Sequence, residues 1–138
     1  MFFKNTYNIS KGIFAYEKEL NGRSYPWGGS GTATGITATD IGTGLTNTNS
    51  LIAMNLQSTD GTPTIWDALK EFRSKYGDRW FIQSRSEGQR YNYRGKSYED
   101  YIWTSSEYSA SNAYRNKENE HTTDSKYKTY PIIPFTYV

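Results

Sequence analysis

Apolar and polar positions alternate between strand-like and helix-like periods along the chain. From Lys11 to Glu19, the run Ile13-Phe14-Ala15-Tyr16 reads as a first strand, and Asn21-Gly22 supplies a turn behind it. Tyr25-Pro26-Trp27 resumes an extended segment. Between Gly28 and Ile65 there is no aromatic residue, and only Asp40 and Asp60 are charged. Gly28 to Gly44 is glycine-rich and reads as a long loop, with Ile36, Ile41 and Leu45 as anchors that pack it onto the domain.

Helical spacing follows. Leu45, Thr48, Ile52 and Leu56 predict a short helix from about Thr46 to Gln57, ended by Thr59-Asp60-Gly61. Ile65, Leu69, Phe72 and Tyr76 lie at i, i+4, i+7 and i+11, a single stripe widened by Trp66 and Ala68. Pro63 near the start, Asp67 in the first turn, Arg73 and Lys75 near the end and Gly77 at C′ all suit that second helix. Arg79 to Gln83 (RWFIQ) reads as a strand or buried connector, Tyr101 to Thr104 (YIWT) as a core strand, and the region of Tyr114 as a returning strand. Lys128 to Val138 is β-rich but carries Pro131 and Pro134; because proline brings no N–H donor, an edge strand or a strand with one unpaired side is expected there.

Composition narrows the chemistry. A chain of 138 residues is one domain, taken as 1–138 with residues 1–10 as an N-terminal extension. Sixteen Lys and Arg against fourteen Asp and Glu leave a net charge of +2, too little to imply nucleic acid or an anionic membrane as partner. Cysteine is absent, which excludes disulfides, thiol nucleophiles and thiolate metal sites. The one histidine, His121, lies in the hydrophilic stretch ENEHTTDSK and reads as part of an exposed loop. Neither a secretion leader nor an apolar run long enough to span a bilayer is apparent, so no membrane insertion is expected. Aromatic residues nevertheless make up 17% of the chain, thirteen of them Tyr, amid abundant Ser, Thr, Asn and Gly. That mixture is typical of recognition surfaces, where Tyr supplies rigid contact area and small polar residues adapt their hydrogen bonds.

Two clusters carry this signature. Tyr108, Ser109, Ser111, Asn112, Tyr114, Arg115 and Asn116, with Lys117 beyond, form the first; Tyr91, Asn92, Tyr93 and Arg94 form the second. Tyr and Arg are the residues enriched at interface hot spots. Trp103 reads as core, whereas Ser105, Ser106 and Glu107 read as residues that shape a turn beneath the site by bonding backbone or pairing charge. The basic and aromatic stretch Arg85 to Arg94 could stack single-stranded nucleic acid, but Glu87, Glu99 and Asp100 interrupt it and no nucleic acid is expected. Glu99 and Asp100 are adjacent, hence on opposite faces of any strand, and do not make a carboxylate dyad. No enzyme activity, cofactor or required metal is expected.

Three stretches carry a family resemblance. Asp40-Ile41-Gly42-Thr43-Gly44 with Asn47-Thr48 is similar to an I-G-T-G-x-x-N-T pattern; Asp78 to Ser84 resembles D-W-F-L-P-S, with Gln83 in place of the proline. Trp103-Thr104-Ser105-Ser106-Glu107-Tyr108, then Ser111-Asn112-Ala113-Tyr114, resembles a W-S-S-S-E-Y-x-x-x-N-A-W/Y signature. These resemble the C-type-lectin-like domain at the C-terminus of bacterial and phage collagen-like adhesins, which is related to the variable proteins of diversity-generating retroelements. The resemblance implies an α+β C-type-lectin-like fold: two helices flanking a small antiparallel sheet, N- and C-terminal strands paired, and the binding side chains of the Tyr108 to Lys117 region projecting to solvent. It implies a non-enzymatic adhesion or receptor-binding module on a virion or bacterial surface, with a host surface protein or glycan as partner. A virion or pilus subunit burying the same aromatics against neighbouring copies is the alternative. The sugar-coordinating calcium patterns Glu-Pro-Asn and Trp-Asn-Asp of C-type lectins are absent from this sequence.

Overall fold

The computed structural model describes residues 6–10, 12–93, 101–117 and 120–137. The architecture is α+β, with three helices and three small antiparallel sheets among the described residues. The first sheet joins the two chain ends. Strand β1 (Thr6–Ser10) pairs with β2 (Ile13–Tyr16), so part of the expected N-terminal extension is an edge strand. Strand β2 in turn pairs antiparallel with β9 (Pro134–Tyr137), Ala15 opposite Phe135, and β9 pairs on its other side with β4 (Trp80–Ile82). The expected pairing of terminal strands is therefore present.

The expected edge position of the C-terminal strand is not: the sheet order is β1-β2-β9-β4, and β9 is interior. Proline is accommodated because Pro134 is the first residue of β9 and Pro131 lies in the connector before it, where neither interrupts the ladder. Both faces of this sheet are covered. Trp80 and Ile82 pack into a core with Trp27, Leu51, Trp66, Leu69, Phe72 and Trp103, while Phe81 joins Ile13, Ala15, Ile102, Ile133 and Phe135 on the other side. Burial from both sides explains why RWFIQ reads as a continuous apolar run without alternation.

Helix α1 (Gly44–Ala53) starts earlier and stops earlier than its apolar spacing predicts. Asn47, Thr48 and Leu51 are its buried side chains, and Asn55, with a φ of 53°, turns the chain before Leu56 can extend the stripe. Helix α2 (Ile65–Tyr76) follows its pattern closely: Ile65, Trp66, Ala68, Leu69 and Phe72 are buried. Thr64 and Asp67 close a reciprocal capping box at its start, and the Gly77 N–H bonds the Arg73 carbonyl at its end.

A third helix, α3 (Arg85–Tyr93), departs from the expected two. Its signal is Ser84-x-x-Glu87: the Ser84 N–H donates to Glu87 Oε1 at 2.8 Å and the Glu87 N–H to Ser84 Oγ at 3.4 Å. Gly88 lies inside this helix because the buried Asn116 approaches it; a Cβ there would sit 1.9 Å from Asn116 Oδ1.

The remaining strands build the other two sheets. β3 (Tyr25–Pro26) pairs with β8 (Thr129–Tyr130), and β5 (Ile102–Glu107), β6 (Asn112–Lys117) and β7 (Glu120–Ser125) form an antiparallel meander. His121 is thus in strand β7, opposite Asn116, rather than in a loop. The stretch ENEHTTDSK lacks apolar residues because β7 lies at the end of its sheet. No helix among the described residues is long and apolar enough to cross a membrane.

Helix propensity alone makes Gly88→Ala stabilising by about 1 kcal/mol. The close approach of Asn116 reverses the sign, and we expect a loss of about 1–3 kcal/mol in urea denaturation; a stabilised variant would show that the helix does not press on β6.

Candidate functional site

The long loop of residues 28–43 has no strand ladder; backbone bonds to Gln57, Ser86, Glu107, Ala110 and Lys126 hold part of it, and side chains from other elements satisfy other groups along it. Glu107, at the end of β5 and 2% exposed, accepts from the Thr34 N–H at 2.9 Å and the Gly35 N–H at 3.1 Å. Lys126, fully buried, donates to Glu107 Oε2 at 2.6 Å and to the Thr32 carbonyl at 3.1 Å, with its ammonium 4.9 Å from the centre of the Trp27 ring. Burial alone would raise the Glu107 carboxyl pKa; the Lys126 ammonium and the two loop N–H groups outweigh it and hold the pKa below the ordinary value.

Ser106 Oγ donates to the Ala38 carbonyl at 2.7 Å, and Ser84 Oγ to the Asp40 carbonyl at 2.8 Å. The Gly42 N–H donates to Glu87 Oε2 at 2.8 Å, and Asn47 Nδ2 to the Ala38 carbonyl at 2.9 Å. Ser106 and Glu107 therefore bond the loop directly, while Ser105 Oγ donates to the Gln83 carbonyl at 3.1 Å; all three act from a fully buried strand and not from a turn. Trp103 is core as expected, its Nε1–H donating to the Tyr25 carbonyl at 3.0 Å.

Above this base the segment from Tyr108 to Asn112 turns tightly. The Tyr108 and Ser109 N–H groups both donate to the Asn112 carbonyl at 3.0 Å, and Ser109 Oγ accepts from the Ser111 and Asn112 N–H groups. Two further bonds clamp the turn: the Gly31 N–H to the Ala110 carbonyl at 3.0 Å, and the Lys126 N–H to the Ser111 carbonyl at 2.9 Å. Tyr108 is 59% exposed on this frame, Ser109 and Ser111 are exposed, and Asn112 is half-buried.

Strand alternation divides the rest of the first cluster. Tyr114 lies on the α3 side of β6. Its ring meets Tyr108 edge-on at 5.5 Å, and the Arg85 guanidinium lies 5.2 Å from its centre. Asn116, two residues on, shares that side but is completely buried against Gly88; the expectation that it projects to solvent is corrected, because α3 covers it.

Arg115 and Lys117 point to the opposite face, the side of Trp103 and Tyr130. There the Arg115 guanidinium stacks 3.6 Å from the Tyr101 ring centre, pairs with Asp124 at 2.8 Å, and bonds Thr122 Oγ1 at 3.0 Å and the Tyr130 hydroxyl. Lys117 Nζ lies 5.4 Å from the Tyr101 ring centre. Burial, then the hydrogen bond to Asp124, pushes the Tyr130 hydroxyl up to about 12. Asp124 is held below the ordinary carboxylate range: burial opposes this, but the Tyr130 and Ser125 donors and the Arg115 and Lys128 charges prevail. The Tyr101 hydroxyl is raised by its 2.6 Å bond to Glu120.

Of the second cluster, Tyr91 and Tyr93 fall on the last turns of α3, with their side chains outside the described residues; Arg94 lies outside them altogether. Arg85, which does join the aromatic pair, was not among the sequence-derived candidates; its position next to the Ser84-x-x-Glu87 cap places it at the start of a helix lying over β6. No group of His, Asp and Glu among the described residues is arranged to hold a metal ion.

No family model, curated protein or solved structure matches this chain. The site's chemistry therefore rests on its own geometry: an exposed tyrosine, an edge-on second tyrosine and a guanidinium, carried on a turn fixed at both ends.

Lys126→Met should cost about 3–5 kcal/mol, since it strands the Glu107 charge in the interior, and adding Glu107→Gln should recover part of that loss in a double-mutant cycle. The lowered pKa of Glu107 sets the sign with pH. Its contribution is complete above the unfolded-state value of about 4.3 and is lost as pH falls through the folded-state value. Urea midpoints should accordingly drop below about pH 4.3 in the native protein and drop less in Glu107→Gln.

Proposed function

We propose that the chain is a non-enzymatic recognition module of C-type-lectin-like type, acting on a virion or bacterial surface as a receptor-binding or adhesion domain. The observation that carries this reading is the Tyr108–Tyr114 pair, edge-on at 5.5 Å and flanked by Arg85, on a turn whose backbone is hydrogen-bonded to the long loop on one side and to Lys126 on the other. A rigid aromatic anchor loses little conformational entropy on binding, and Ser109, Ser111 and Asn112 around it offer adaptable polar contacts. The paired chain ends, the long ordered loop and the α+β make-up agree with the fold that the sequence motifs imply.

The partner of this face is a host-cell surface protein or glycan. Arg115 contributes differently from Tyr108 and Tyr114: with its guanidinium bonded to Asp124, Thr122 and Tyr130, it braces the sheet from the opposite face.

Fluorescently labelled protein should bind whole bacterial cells or an immobilised glycan array saturably. Tyr108→Ala should weaken that binding about 30-fold, corresponding to a hot spot of about 2 kcal/mol, and Tyr114→Ala should do likewise, with far-UV circular dichroism unchanged. Unaltered affinity in both variants would remove this face from consideration. Light scattering that shows self-assembly occluding Tyr108, with no saturable binding to either surface, would favour a structural subunit instead.

A further inference from the structure

The two described arginines nearest the candidate turn differ in what they have left to give. Arg115 is spent internally on a carboxylate, two hydroxyls and an aromatic face. Arg85 has its backbone N–H fixed to Ser106 Oγ at 3.1 Å and its guanidinium laid over the Tyr114 ring, but its side chain has no carboxylate partner among the described residues, and its Nε is buried without an acceptor. Glu87, the nearest acid in sequence, is engaged with the Ser84 and Gly42 N–H groups and the Tyr137 hydroxyl. With Nε sealed from solvent, the two terminal nitrogens are the donors a half-buried guanidinium without an anionic partner among the described residues has for an anion from outside, and their end-on pair matches a carboxylate.

The surroundings specify what carries that carboxylate. Tyr114 touches both Arg85 and Tyr108, which brings the guanidinium into the neighbourhood of the exposed Tyr108 ring, with Ser109, Ser111 and Asn112 on the same turn. A sugar presents a C–H face to an aromatic ring and hydroxyls to polar neighbours, and a uronic acid adds a carboxylate to the same ring. We propose that this face binds a carboxylate-bearing sugar, with Arg85 taking the carboxylate and Tyr108 the pyranose face. This rests on the recognition reading above and names its ligand class.

The probe pair is methyl β-glucuronide and methyl β-glucoside, which differ in carrying a carboxylate or a hydroxymethyl group on the same ring. Titrated into the full chain with sodium acetate added to match ionic strength, the glucuronide should shift the Arg85 Nε–Hε and Tyr108 ring resonances in a saturable manner. The glucoside should bind at least ten-fold more weakly. Arg85→Gln should reduce glucuronide affinity at least ten-fold, Arg85→Lys should restore only part of it because the fork is lost, and Lys70→Gln, which removes a positive charge from the exposed side of α2, should leave it unchanged. Equal binding of the two sugars, no saturable shift with either, or equal losses in Arg85→Gln and Lys70→Gln would each overturn the assignment. Recognition through Tyr108 and Tyr114 could survive such a result, because it is read separately from cell and array binding by the tyrosine variants.

Discussion

The arrangement depends on one charge pair sealed from water. Glu107 and Lys126 meet at 2.6 Å in the interior, and neither could be buried singly at an acceptable cost. Their remaining hydrogen-bonding capacity is spent on backbone: Glu107 on the Thr34 and Gly35 N–H groups, Lys126 on the Thr32 carbonyl. A loop without a ladder must find partners for its amides elsewhere, and a carboxylate is the strongest acceptor a side chain can supply. The pair thus fixes the loop's course, and through the Lys126 N–H and the Gly31 N–H it fixes the turn that carries Tyr108.

The same requirement explains a strand whose composition looks wrong for an interior. Thr104, Ser105, Ser106 and Glu107 are all buried, although none is apolar. Along its free side β5 meets irregular chain in place of another strand, and polar groups there have specific backbone partners: Ser105 Oγ the Gln83 carbonyl and Ser106 Oγ the Ala38 carbonyl; on the paired side Thr104 Oγ1 donates to the Tyr114 carbonyl of β6. A fully satisfied polar strand of this sort specifies one loop conformation, where an apolar strand would tolerate several. The turn that carries Tyr108 is held by these bonds as much as by the aromatic core below them.

Much of this was legible in the residues and some was not, for identifiable reasons. The stripe from Ile65 to Phe72 and its cap marked α2 because burial there follows a single period. The pairing of β2 with β9 followed from two apolar terminal segments, each needing cover. Helix α3 was obscured by its polarity and by Gly88, although the Ser84-x-x-Glu87 spacing announces its start; the glycine answers to Asn116, a contact remote in sequence. Lys126 lies in a hydrophilic stretch and gives no local sign of complete burial, because its partner is nineteen residues away. Prolines read locally suggested an edge, whereas Pro134 opens a central strand at a point where its missing donor is not required.

Strand alternation also decides how the site divides. Tyr, Ser, Asn and Arg crowd the sequence from Tyr108 to Lys117 as though they made one surface, yet a strand sends neighbours to opposite faces. Tyr114 and Asn116 turn toward α3, where the helix seals the second and leaves the first half-open beside Arg85. Arg115 turns toward Tyr101 and Tyr130 and is consumed by Asp124. A guanidinium bonded to a carboxylate must break that bond before it can hold a ligand, and the cost is deducted from affinity; one resting on an aromatic ring without an anionic partner has no such bond to break. Composition therefore marked a candidate surface, while the geometry of β6 and α3 determines which of its cations has a carboxylate partner among the described residues.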